Sequence, residues 1–248
     1  MDNPPMTYLV LTIATLLTSL VSGVLSMAGG MILMGVFSFF LSVPAAMVLH
    51  GVAQAVSNGS RIWLYRRHVR ISILLPYAAG TLVVLLTFTL VAFVPDKAIV
   101  FILIGLFPFV GAALPNRVQL DVERKPVAFI CGLLVTTAQM LAGASGPVLD
   151  IFYQNSRLTR HEILATKAVT QTLGHLIKLG YYAFFLSLTT ELSPYIYPAV
   201  VFAAISGNWA GKSIVERIHD DQFRRMGRYL ILVIGALYIG QGLVELTK

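Results

Sequence analysis

Charge is scarce in this chain. Only 12% of its 248 residues are Asp, Glu, Lys or Arg, and 57% are hydrophobic, whereas an ordinary soluble domain is roughly a quarter charged. That balance excludes a soluble enzyme, a disordered tail and a nucleic-acid module. Cysteine is nearly absent: Cys131 stands alone, which excludes an intrachain disulfide and a cysteine-only metal cluster. No GxxxxGKS/T phosphate loop occurs, so direct ATP driving is not expected. His161-Glu162 lacks the second histidine of a zinc-protease helix, and no other metal-ligand spacing is present. Neither a cofactor nor a metal is expected. The first residues, Met1-Asp2-Asn3-Pro4-Pro5, lack the positive n-region of a signal peptide, so residues 6–25 read as part of the mature protein.

Long apolar runs are what the chain has instead. They fall at residues 6–25, 31–41, 45–65, 71–94, 98–114, 126–141, 147–153, 163–185, 195–211 and 229–244. A helix needs about 20 apolar residues to cross the ~30 Å hydrocarbon core. The runs at 31–41 and 147–153 are too short to cross alone. Each follows a break, Ser26-Met27-Ala28-Gly29-Gly30 in the first case and Gly143-Ala144-Ser145-Gly146 in the second. The expected fold is an all-α polytopic membrane protein of six spans and two interrupted hairpins.

The net charge is +7, and most of the basic residues sit in loops. Arg66, Arg67 and Arg70 form one cluster; Arg117, Arg124 and Lys125 a second; Arg157 and Arg160 a third; Lys212, Arg217, Arg224, Arg225 and Arg228 a fourth. Positive loops stay cytoplasmic, so all four are expected inside. Each interrupted segment must then return to its own side, each half makes an odd number of crossings, and the halves are antiparallel with both termini outside.

The halves align without gaps at an offset of 117 residues. Gly29 meets Gly146, His50 meets Lys167, Gln54 meets Gln171, Asn58 meets His175, Arg61 meets Lys178 and Tyr65 meets Tyr182. Polar matches are informative where polar residues are scarce. With the charge pattern they point to two inverted-topology repeats, an arrangement of secondary transporters with the site at the repeat interface. The expected organisation is a first repeat at 1–115, a cytoplasmic linker at 116–125 and a second repeat at 126–248.

A glycine-containing break after the first helix, a polar-striped helix, a basic loop and the repetition of that whole unit resemble the TauE/SafE family of membrane permeases, the sulfite or organosulfonate exporters. The resemblance covers nearly the whole chain. It implies a non-enzymatic transporter of small sulfur-containing anions such as sulfite, sulfoacetate, related organosulfonates or carboxylates, placed in a prokaryotic cytoplasmic (inner) membrane. The partners expected are that anion, the lipid bilayer and a second copy in a candidate homodimer, with no nucleic acid.

Helical spacing at about 100° per residue puts His50, Gln54, Asn58, Arg61 and Tyr65 on one face. Lys167, Gln171, His175, Lys178 and Tyr182 repeat that face in the second half. Ionisable groups in a membrane usually face a cavity or a partner, and neither stripe holds an acid, which favours an anion. The alternative is that these groups merely tie helices together. For Arg61 and Lys178 that alternative is the stronger reading, since both lie near helix ends, from which they could snorkel. Helices restarting after Gly29-Gly30 and Ser145-Gly146 offer free N–H groups to an oxyanion, and Pro147 suits such a restart; a packing kink is the other reading. The expected substrate site is therefore Gly29, Gly30, His50, Gln54, Asn58, Ser145, Gly146, Lys167, Gln171 and His175. Asp150 has Leu33 as its repeat partner and keeps two readings: a coupling or Lys167-pairing carboxylate, or a group facing the loop at Arg157. His161 and Glu162 read as interfacial, and His68 and His219 as solvated. Energy would come from an ion gradient or the substrate's own. A passive anion channel is the main rival. Gly143-Ala144-Ser145-Gly146 also has the GxSG spacing of an intramembrane serine protease with His175 as base, a remoter alternative.

Overall fold

The computed structural model describes residues 4–25, 28–113, 120–154, 156–186, 192–215 and 220–247. Ser26, Met27, Arg117, Arg217 and His219, together with the side chains of Lys212, Arg224, Arg225 and Arg228, lie outside the described residues. The described chain is helical throughout: α1 (Pro4–Leu25), α2 (Ala28–Phe40), α3 (Val43–Tyr65), α4 (Ile71–Val91), α5 (Lys97–Ala113), α6 (Lys125–Ala142), α7 (Gly146–Tyr153), α8 (Arg160–Leu186), α9 (Ile196–Val215) and α10 (Asp220–Glu245). A single 3-10 turn, Arg66–His68, links α3 to α4, and no strand occurs among the described residues.

Each helix sits on one of the apolar runs, and local chemistry sets its ends. Ser42 caps α3, accepting the Ala45 N–H on its Oγ at 3.4 Å, with Pro44 in the first turn. α6 stops at Gly143, whose φ of +73° is a left-handed cap; its N–H donates to Gln139 O at 2.9 Å. α8 starts with a capping box. The N–H and Oγ of Thr159 donate to Glu162 Oε2 at 2.8 and 2.9 Å, and the Glu162 N–H donates back to Thr159 Oγ at 3.4 Å. The two hydrogen bonds donated by Thr159 and then the Arg70 guanidinium hold the Glu162 carboxyl below its ordinary value.

The molecule is apolar outside and buries a polar seam within a largely apolar interior. On α4, Leu75, Leu82, Leu86 and Leu90 lie along one exposed face, Leu90 at 86%, while Ile73, Tyr77, Gly80, Thr81 and Val84 are buried on the other. Phe184 on α8 and Phe202 and Trp209 on α9 are also exposed, Trp209 at 83%. So much exposed large apolar surface is a lipid-facing surface. Three helices, α1, α4 and α6, contain stretches long and apolar enough to cross a membrane unaided. α3 and α8 fall outside that set because their polar stripes dilute them. Hydroxyls on lipid-side helices are satisfied locally: Thr12, Thr87 and Thr89 each donate to the carbonyl four residues back at 2.8–2.9 Å.

α3 lies along α8 at the centre, and α5 lies along α10. α1 packs on α9 as α4 packs on α6, and α3 touches α9 as α8 touches α4. These pairings map onto themselves when α1–α5 are exchanged with α6–α10. Close approach depends on glycine. A Cβ on Gly80 of α4 would clash with Phe129 O and Leu133 N of α6; one on Gly207 of α9 would clash with Leu16 O and Leu20 N of α1. Gly105 and Gly235 face each other's carbonyls between α5 and α10.

Three of the four basic loops meet at one end. Arg70 bridges Glu162 at 2.6 Å and donates its N–H to Thr166 Oγ at 3.0 Å. The Arg157 N–H donates to Glu123 Oε2 at 2.8 Å. α7 returns to the same end: the Val122 N–H, just before α6, donates to Phe152 O at 3.1 Å.

Candidate functional site

Both breaks open onto one small, partly open pocket. α2 contributes Gly30 and Met31, α3 contributes His50 and Gln54, and α8 contributes Gln171 and His175. Ala144, Ser145 and Gly146 close it from the second break. The lining contains five polar side chains and no carboxylate.

A hydrogen-bonded chain joins the two breaks through this site. His50 Nε2–H donates to Gly30 O at 2.8 Å. A carbonyl can only accept, so in the neutral ring Nδ1 is the acceptor, and Lys178 Nζ donates to it at 2.8 Å. The same Nζ donates to Gly143 O at 2.8 Å. Gln139 Nε2 donates to Gly143 O at 3.1 Å and to His175 Nδ1 at 2.8 Å. Its Oε1 accepts from Ser145 Oγ at 2.6 Å. With Nδ1 accepting, Nε2–H is the remaining donor of the neutral His175 ring. The two histidine rings sit edge to face, 5.3 Å between centroids.

Gln54 is 5% exposed, yet its Nε2 has no hydrogen-bond partner. A buried amide N–H without a partner costs about 1–3 kcal/mol, and here it lines the cavity, where an acceptor would satisfy it. Gly30 makes room for it: a Cβ there would stand 3.3 Å from Gln54 Oε1. The first turn of α2 and the start of α7 add backbone N–H groups that have no intrahelical acceptor. The arrangement supplies neutral donors for an oxyanion, with the Lys178 amino group behind them.

Seven of the ten expected site residues line this cavity: Gly30, His50, Gln54, Ser145, Gly146, Gln171 and His175. Gly29, Asn58 and Lys167 do not. Gly29 packs against Thr18 and Ser22 of α1. Asn58, one turn beyond Gln54, donates Nδ2 to Gln54 O at 2.9 Å. Lys167, one turn before Gln171, forms an ion pair with Asp150, and both side chains are mostly buried. Asp150 thus takes the Lys167-pairing role. Lys178 does not snorkel: it ties α8 to α3 and to the second break. It is 0% exposed because two buried acceptors, His50 Nδ1 and Gly143 O, hold its head group inside. The participant not anticipated from sequence is Gln139. Its signal is spacing: four residues before the capping glycine, a side chain reaches the freed carbonyl at the end of the helix.

Ser145 donates to an amide oxygen, not to a histidine, and Nδ1 of His175 is occupied by Gln139. That is not the hydrogen-bonded base a serine nucleophile needs. Among the described residues no group of three or more His, Cys, Asp or Glu side chains could hold a metal ion. No curated protein and no solved structure matches the chain. Interrupted helices, a lipid-facing surface and a buried polar seam are the features of a membrane permease, and the chain matches the family model described as "Sulfite exporter TauE/SafE" over residues 11–238; it belongs to that family of membrane transporters.

Proposed function

We propose that this protein is a secondary transporter that carries small sulfur-containing anions, sulfite and organosulfonates such as sulfoacetate, out of a prokaryotic cell. The single observation that carries the reading is the cavity at the meeting of the two breaks, lined by polar side chains and backbone donors with no carboxylate. Helix-start N–H groups, the free Gln54 amide and the His175 ring bind an oxyanion through directed hydrogen bonds. Lys178 contributes positive potential from behind His50.

Transport proceeds by alternating access. Two inverted halves rock about the α3–α8 contact and expose the cavity to one side and then the other. The exchange of helix pairings between α1–α5 and α6–α10 supports the repeat. The gathering of basic loops at one end supports placing that end in the cytoplasm. Calorimetric titration of the purified protein with sulfite, sulfoacetate, taurine, sulfate and acetate tests the substrate class. Sulfite or sulfoacetate should bind and taurine should be weakest, since its ammonium would find no acid in the lining. Equal binding of taurine and sulfoacetate, or no binding by any of the five, would refute the reading.

A further inference from the structure

The hydrogen bond between Lys178 and His50 joins two basic groups without an acid. Its geometry admits one proton between the two facing nitrogens: Lys178 Nζ donates and His50 Nδ1 accepts, 2.8 Å apart. The other ring nitrogen is already committed to Gly30 O. A second proton on the pair must go on Nδ1, where it would face an ammonium. No carboxylate is at hand to offset that. α2, α3 and α9 contain no acidic residue, and α8 has only Glu162, at its first turn beside Arg70. From α8 the ring also meets His175, and from α2 the edge of Phe37. Of the other helices against α8, α4 offers Tyr77 and α6 offers Lys125 and Cys131 as titratable groups. α7 offers Tyr153 and Asp150, the latter paired with Lys167 about 16 Å along α8 from Lys178. The missing countercharge is therefore an anion in the cavity that His50 lines.

We propose that the His50–Lys178 pair couples transport to protons, taking up one proton with each anion bound at the cavity. This rests on the cavity being the anion site. A proton from water adds to the Nδ1 lone pair of His50. The new N–H bond ends the hydrogen bond from Lys178, whose ammonium stays protonated and keeps Gly143 O as acceptor. Imidazolium and anion then neutralise each other in the cavity. Departure of the anion leaves two cations in contact, and the proton leaves with it. The linkage is reciprocal: the anion favours the proton as much as the proton favours the anion.

The test uses the purified full chain in weakly buffered detergent solution with a pH indicator. The probe is methanesulfonate, which stays ionised throughout the range. Wild type should take up about one proton per anion bound, and its affinity should rise about tenfold per unit fall in pH until the pair is doubly protonated in the free protein. His50→Gln keeps a donor for Gly30 O and an acceptor for Lys178 but cannot take the proton. It should bind methanesulfonate more weakly than wild type at acid pH, with no uptake and a flat pH profile. Binding by wild type without uptake overturns the coupling and leaves the site standing, as does unchanged uptake in His50→Gln. No binding of methanesulfonate by wild type overturns the site and the coupling together. If His50→Gln does not fold, the wild-type stoichiometry decides the matter alone.

Discussion

Lys167 and Lys178 lie on the same helix and are both buried, yet the structure gives them different work. Lys167 is held by Asp150; Lys178 has only neutral acceptors. Removing one member of a buried ion pair strands the other, at a cost of ~3–5 kcal/mol. Lys167→Ala should therefore lower the unfolding temperature in detergent, and adding Asp150→Asn should recover part of the loss. An unchanged melting curve for Lys167→Ala would show the pair to be inert. Anion affinity should respond in the opposite order. Lys178→Met should cost ~2 kcal/mol or more, about thirtyfold, and Lys167→Ala much less; a larger loss from Lys167→Ala in the same titration would put the binding charge on the wrong lysine here. The polar stripe was legible from spacing, since His50, Gln54, Gln171 and His175 share helix faces. What spacing does not carry is depth. Lys178 looked close to a helix end, and only the position of Gly143 O and His50 opposite it keeps its ammonium inside. Gln139 was hidden for the same reason, because its role depends on where the chain goes after Gly143.

The helices themselves were written plainly in the apolar runs, because a membrane rewards uninterrupted hydrophobicity over a fixed length. Short elements were legible by their breaks, and α7 begins at the glycine that ends the second one. α10 is the exception. It begins at Asp220, nine residues ahead of the apolar run at 229–244, since a helix can extend beyond hydrocarbon with polar residues. The start of α8 allows a pH test. Glu162 gains hydrogen bonds from Thr159 and an ion pair with Arg70 in the folded state, so its folded value is depressed. A depressed carboxyl contributes stability above its unfolded value, ~4.3, and loses it as pH falls through the folded value. The unfolding temperatures of wild type and Glu162→Gln should differ near neutral pH and converge below the ordinary glutamate range. A difference that persists at the acid end would remove the capping box from the account.

At the scale of the whole molecule, the proposed arrangement is two antiparallel halves meeting at an anion site. Topology is open to direct test. In a Cys131→Ser background, a cysteine at position 68, which is exposed beside Arg67, should react with a membrane-impermeant maleimide only from the cytoplasmic side. Labelling from outside would break the parity on which the inverted halves rest. The central claim, that this cavity carries a sulfur oxyanion across the membrane, is tested most directly by counterflow. Proteoliposomes loaded with unlabelled sulfite and diluted into a trace of radiolabelled sulfite should accumulate label transiently above equilibrium, because a carrier exchanges one anion for another. Liposomes bearing Gln54→Leu with Gln171→Leu should show little or none. Equilibration without an overshoot in wild type would indicate a channel, and a full overshoot in the double variant would place the site elsewhere; either result contradicts the account.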